Sequence, residues 1–495
     1  MSATSADSAA KAPQHGFFGH PRGLSTLFFT ELWERFSYYG MKAILAYYLY
    51  YSAAQGGLGV DKSAALSLVA IYGSSVYMAG VGGGWLADRV FGSQRAVLYG
   101  GVLIMLGHIA LALPIGLAGV YAGLILIVLG TGLLKPNVSN IVGGLYDQHD
   151  PRRDAGFSIF YMGVNLGAFV APLICGFLGQ QINWHLGFGA AAVGMAFGLV
   201  QYQLGRKNLG ELSDRPANPL PDEDRGRILG RIVGVSAAVV VVLVLLIVLG
   251  VLSGEGMVNL LSVLSVVLPI VYFTVMMRSD KTTPVERTRL IAYIPLFAAA
   301  VFFWLLYEQT STVIAAFADT SVRNSIFGLE FPPSFFQSIN PVMIIVFAPL
   351  FALLWTRLGT RQPATPRKFS GGLLFIGLSF LVAMAASQSG GPDDKVSPLW
   401  LVLVFFVMTC GELMLSPVGL SVTTKLAPRA FAAQTMGLFF LSSAAGQGIG
   451  AQVVKWYSDD TAVAYFGILG AIALGLGVLL LVLAPKIKEL MAGVD

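Results

Sequence analysis

ELWERFSYYGMK, residues 31–42, places four ionisable side chains inside a run otherwise apolar enough to span a bilayer. On a helix advancing about 100° per residue, Glu31, Glu34, Arg35, Tyr38, Tyr39 and Lys42 fall within an arc of roughly 140° and share one face. A charge at the bilayer centre costs on the order of 2.5–3.5 kcal/mol even on insertion scales, so this face must turn toward protein or water. A single buried ion pair there would need no role beyond packing. Two carboxylates, two cations and two phenols on one stripe point instead to a polar pathway for a charged solute, an ion, or both.

The rest of the chain agrees with a membrane setting. Of 495 residues, 56% are hydrophobic and 12% charged, against about 25% charged in soluble domains. The expected class is therefore an all-α polytopic membrane protein. Cys175 and Cys410 both lie in apolar segments, which supports neither a disulfide framework nor a thiolate metal site. The net charge of +5 sits in loops between spans and reports orientation, so no nucleic-acid partner is expected. Residues 1–23 have no apolar core like that of a signal peptide and read as a tail.

Runs able to cross roughly 30 Å of hydrocarbon occur at 24–52, 63–88, 95–115, 118–146, 155–181 and 186–205. A hydrophilic stretch, 206–231, then divides the chain. Two aliphatic runs follow at 232–252 and 257–277, expected at the periphery and facing lipid. Six more lie at about 288–320, 334–356, 369–388, 398–427, 430–455 and 461–484. This gives a bundle at 24–205, a linker at 206–231, a two-helix insertion at 232–277, a second bundle at 278–484 and a tail at 485–495. The expected total is fourteen spans, twelve of them core.

An even number of crossings leaves both termini on one side. Of 31 Lys and Arg, only Lys62, Arg323, Lys395 and Lys455 lie in one set of alternate loops and three lie inside spans; the remainder occupy the termini and the other loops. By the positive-inside rule both termini are expected in the cytoplasm, with the chain a multi-pass protein of the inner membrane. Seven charges stand at membrane depth: Glu31, Glu34, Arg35, Lys42, Lys135, Glu308 and Glu412. They fall on the first, fourth, seventh and tenth core helices, the spacing given by three-helix repeats whose first helices line a central cavity.

The turn GWLADRVFGSQR at 84–95 resembles the loop signature of the major facilitator superfamily. Three further stretches, ELWERFSYYGM at 31–41, GTGLLKPNVSN at 130–140 and FYMGVNLGAF at 160–169, resemble motifs of the bacterial proton-dependent oligopeptide transporter family. The likeness extends to Glu308 in FFWLLYEQTS and Glu412 in TCGELMLSPVGLS, and covers nearly the whole chain. It implies a major facilitator fold of two six-helix bundles plus two extra helices. It also implies a proton-coupled symporter that imports di- and tripeptides by alternating access.

By this resemblance Glu31, Glu34, Arg35 and Glu308 couple the proton, which is the only coupling species and no cofactor. The implied substrate contacts are Arg35, Tyr39, Lys42, Tyr77, Lys135, Asn165, Trp304, Glu308, Asn340, Glu412 and Ser416. Arg35 and Lys135 would take the peptide carboxylate; Glu412 would take the amine, with the amide oxygens of Asn165 and Asn340 accepting from it. Lys42–Glu308 would close an outer gate and Lys135–Glu412 an inner one. Two departures bear on side-chain preference: Lys42 stands where many relatives carry arginine, and Phe439 where many carry tryptophan. Expected partners are peptides, possible peptide-like drugs and the bilayer, with the monomer as the working unit.

The rival within transport is nitrate or another small anion. An embedded enzyme would need a catalytic constellation at membrane depth, and no HExxH, GxSxG or Gly-rich phosphate loop appears. No enzymatic activity and no ATP dependence are expected.

Overall fold

The computed structural model describes residues 16–493 apart from 148–149, 151, 211–212, 217, 222, 391–393 and many positions between 225 and 252. The expected span at 232–252 and the first fifteen residues lie largely or wholly outside the described residues. The first bundle comprises α1 (Arg22–Tyr50), α2 (Lys62–Leu86), α3 (Ser93–Ala112), α4 (Leu117–Gly144), α5 (Arg153–Phe177) and α6 (Trp184–Gly205). After it come α7 (Gly254–Arg278), α8 (Pro284–Tyr307), the short α9 (Val313–Thr320), α10 (Ile339–Leu358), α11 (Thr365–Ser389), α12 (Leu399–Leu426), α13 (Ala432–Val453) and α14 (Ala462–Leu490). Ten helical segments among the described residues are long and apolar enough to cross a membrane. At 29, 22 and 22 residues, α1, α6 and α13 reach the same length.

Close approach is bought with glycine. Gly83 of α2 and Gly132 of α4 meet so tightly that a Cβ on Gly83 would lie 2.0 Å from the Gly132 carbonyl oxygen. That carbonyl belongs to the residue four before Pro136, whose ring nitrogen has no hydrogen to donate to it. The α2–α4 crossing is thereby fixed one turn from Lys135.

The sequence suggested one continuous span at 288–320. The structure breaks it: α8 starts with a Thr283–Glu286 capping box and stops at Tyr307, and a 3-10 turn over Glu308–Ser311 separates it from α9. The break falls on five consecutive polar residues, Glu308–Thr312 (EQTST), but the apolar residues on both sides keep the averaged hydropathy high enough for the whole stretch to read as one span. Of the insertion, α7 fully buries only the stripe Val258, Ser262, Ser265, Pro269 and Met276, packed mainly against α13 and α2, and leaves the rest half-buried or exposed. Lys455–Glu255, at 2.8 Å, and Gln452–Ser262, at 3.0 Å, tie it to the second bundle.

At the end carrying Arg22 and Leu490, the stretch after α6 folds under the first bundle. Ser213 accepts from the Gln94 amide, and Asp214 pairs with Arg206 and, at 3.4 Å, with Arg95.

At the far end the two bundles join. Tyr50 and Tyr51 both donate to Asp319, at 2.8 and 2.6 Å, and Tyr47 donates to the Ala315 carbonyl at 3.0 Å. Ser67 and Ser74 of α2 reach the Ala451 and Ala444 carbonyls of α13, each at 2.8 Å, while Ser338 reaches the Phe169 carbonyl of α5 at 2.8 Å. Lys62–Asp459 adds a surface pair at 3.1 Å. Among the described residues, every hydrogen bond that joins the bundles lies in this far half or at mid-depth. The hydrogen bonds that hold the two bundles together thus gather toward one end.

Candidate functional site

Glu31, Glu34 and Arg35 sit near mid-length of α1, at 5%, 0% and 3% exposure. Spacing of four residues brings Arg35 Nε within 3.3 Å of Glu31 Oε1. The same guanidinium grips both oxygens of Glu34, with Nη2 at 2.8 Å from Oε1. Two carboxylates share one cation, and Glu31 Oε2 is buried without a partner. A carboxyl oxygen so placed can be satisfied by a proton or by an incoming donor. The rings of Tyr38 and Tyr39 flank Arg35, with its Cζ 5.1 and 5.9 Å from their centroids.

Two turns on, Lys42 Nζ lies 2.7 Å from Glu308 Oε2, a contact across the bundles with little access to solvent. The pair forms where the 3-10 break turns Glu308 toward α1. Lys135 approaches from α4: its ammonium lies 4.1 Å from the centre of the Tyr77 ring. It is within electrostatic range of Arg35, Glu34, Glu31 and Glu308. Cationic side chains of the first bundle therefore converge on one place.

Glu412 of α12, in the second bundle, lies within electrostatic range of Glu308. Asn340 Nδ2 donates to Glu412 Oε2 at 3.1 Å and to Thr409 Oγ1 at 3.0 Å, while Tyr307 donates to Asn340 Oδ1 at 3.0 Å. Tyr161 of α5, 46% exposed, is within electrostatic range of Glu412, so this face of α5 looks across the gap between the bundles. Ser416 lies one turn beyond Glu412 with its hydroxyl buried and unpartnered. Trp304 stacks edge-on with Tyr307 at 5.3 Å, and Tyr39 and Tyr77 are half-buried beside the charges.

Two expectations need correction in this state. Lys135 and Glu412 do not form an ion pair; the lysine lies over Tyr77 and the carboxylate is held by Asn340. Nor does the Asn340 amide oxygen wait unpartnered for a substrate amine: it already accepts from Tyr307, which leaves one of its two acceptor positions. Asn165, itself buried, donates one amide hydrogen to the Tyr161 carbonyl of its own helix at 2.9 Å. The sequence reading missed Tyr307 and Thr409. A phenol immediately before Glu308 was the available signal for the first; Thr409 carried none.

The family model described as the POT family matches residues 94–472. The chain belongs to the POT family. Among the relatives of this POT chain, a Bacillus subtilis (strain 168) protein named "Uncharacterized transporter YclF" is 54% identical over 97% of each chain. A di-/tripeptide transporter of Lactococcus lactis subsp. lactis (strain IL1403) is 46% identical, covering 97% of this chain and 98% of its own. A crystal structure of a peptide transporter POT in complex with sulfate is 55% identical, with a TM-score of 0.95 over 98% of this chain and 99% of that one. Another, of a POT family transporter in complex with 5-aminolevulinic acid, is 44% identical with a TM-score of 0.92, covering 97% and 100%. These likenesses show the major facilitator architecture and a multi-pass membrane transporter, not an enzyme.

Proposed function

We propose that this POT protein imports di- and tripeptides together with protons, by alternating access between its two bundles. The far end is read as extracellular and the end carrying both termini as cytoplasmic. The structure then represents the inward-facing state, with Lys42–Glu308 closing the outer gate. Arg35 and Lys135 receive the peptide carboxylate, and Glu412 receives its ammonium. Tyr39, Tyr77, Trp304 and Ser416 line the space between. Glu31 and Glu34 exchange a proton while sharing Arg35.

One observation carries this reading: around Glu308, cations of the first bundle and a carboxylate of the second come within electrostatic range of one residue, Lys42 and Lys135 on one side and Glu412, held by Asn340, on the other. Opposite charges on opposite walls suit a zwitterion, whose fixed termini set its register while varied side chains occupy the remaining space. A nitrate ion would leave Glu412 unmatched, which disfavours that alternative. The same reading takes the monomer as the transporting unit and the inner membrane as its place.

Uptake of labelled dialanine into proteoliposomes, driven by an inward proton gradient, tests the proposal. Accumulation above equilibrium is expected, with loss on adding a protonophore or excess unlabelled dipeptide. Nitrate uptake that dipeptides do not compete with would overturn it.

A further inference from the structure

Thr409 donates its hydroxyl hydrogen to the Phe405 carbonyl at 2.7 Å, so toward Asn340 its oxygen can only accept. Asn340 must then present its NH2 group on this side, one hydrogen to Thr409 and the other to Glu412. The amide oxygen is left facing Tyr307, whose hydroxyl donates to it at 3.0 Å and also lies within hydrogen-bonding reach of the Glu412 carboxylate. The chain of donors runs in one direction, and no member can be turned over without stranding another in a poorly solvated place. Thr409, Asn340 and Glu412 are buried at 0%, 9% and 8% exposure, while Tyr307 is half-buried.

We infer that Tyr307 is a positioning residue for the amine end of the substrate: it fixes the Asn340 amide, which in turn holds one oxygen of Glu412 and leaves the carboxylate set to receive an ammonium. This rests on the reading of Glu412 as the amine site. Tyr307 is also the last residue of α8, immediately before the turn that carries Glu308. Movement of the gate residue therefore displaces the support of the amine site by one peptide unit, which links the two without any contact between their carboxylates.

The test is Tyr307→Phe, which removes one oxygen and keeps the ring packed against Trp304. Loss of a single hydrogen bond predicts a rise of about three- to tenfold in KM for dialanine, with the maximal counterflow rate unchanged. Inhibition by N-acetyl-dialanine, which has no ammonium, is expected to stay the same. In an Asn340→Ala background the further change to Phe at 307 is expected to add less than it does alone, because one of its two targets is gone. Equal loss of affinity for both compounds, no loss for either, or full additivity with Asn340→Ala would overturn the inference. The underlying reading has its own control: wild type that takes N-acetyl-dialanine as well as dialanine has no amine site at Glu412, whatever Tyr307 does. Monodisperse elution and an unchanged melting temperature identify variants that fold.

Discussion

Replacing Lys42 with methionine keeps the length of the side chain and removes the charge that meets Glu308. At 2.7 Å, the bare Coulomb attraction at an effective dielectric of 20 comes to about 6 kcal/mol, but desolvation of two poorly hydrated ions opposes most of it. The net worth of a charge-assisted hydrogen bond, about 1.5–3 kcal/mol, is the better guide. If the contact exists only while the far end is closed, its loss shifts the balance of closed to open by about ten- to 150-fold. Spin labels at Ala54 and Ser458, exposed on the two bundles at that end, report the separation once the buried Cys175 and Cys410 are replaced by alanine. A second, longer distance is expected to gain population in Lys42→Met. The Tyr50 and Tyr51 bonds to Asp319 remain, so the shift is partial and Asp319→Ala is expected to enlarge it. A distance distribution that moves with Asp319→Ala and ignores Lys42→Met would refute the gate assignment.

Glu34→Gln is expected to abolish accumulation of dialanine against its gradient while counterflow persists, since exchange needs no net proton movement; equal pumping would remove Glu34 from coupling. Gly83→Val puts a Cβ 2.0 Å from the Gly132 carbonyl oxygen and forces α2 from α4, an overpacking cost of about 1–3 kcal/mol that thermal melting in detergent reads as a lower midpoint. In the loop after α4, side-chain hydrogen bonds from Arg152 hold the Asp150 carboxyl down at about 2. A depressed carboxyl stabilises the fold above its unfolded value of about 3.9 and loses that contribution only as the pH falls through about 2, so the loop is expected to keep its order at pH 4. Arg152 also donates to the Gly19 carbonyl at 3.2 Å. Asp150→Asn is accordingly expected to speed hydrogen exchange in residues 16–22 at neutral pH, and unchanged exchange would disprove the link.

The charged face of α1 was legible because charge in hydrocarbon is expensive and helical periodicity states where it points. The four helices carrying the seven charges were legible for the same reason. What escaped was whatever depends on partners distant in the chain. The polar run Glu308–Thr312 marks the end of α8 at Tyr307, but it reads equally well as a polar patch inside one span, because Val313–Thr320 beyond it is as apolar as before. The orientation of Asn340 follows from Thr409 and Tyr307, which are 69 and 33 residues away. The hairpin pairing Ser325–Ile326 with Leu329–Glu330, turned by Phe327 and Gly328 at φ 51° and 83°, escaped too, its apolar residues hiding a turn. The missing Lys135–Glu412 pair is of another kind, because one sequence encodes every state of the cycle and a single structure samples one.

The same seven charges constrain energetics as well as geometry. Four carboxyls, Glu31, Glu34, Glu308 and Glu412, oppose three cations, Arg35, Lys42 and Lys135. Fully ionised, the set carries one net negative charge; one bound proton makes it neutral, and a zwitterionic peptide adds nothing. The loaded protein then reorients without net charge, while the empty one returns outward as an anion, a movement that an inside-negative potential drives by up to about 2.3 kcal/mol per 100 mV. Imposing such a potential by potassium diffusion, with no pH gradient, is therefore expected to speed net uptake of dialanine and leave counterflow unchanged, because counterflow omits the empty return. Acceleration of both alike would place the charge on the loaded step, and the ionisation count assigned to these helices would be wrong.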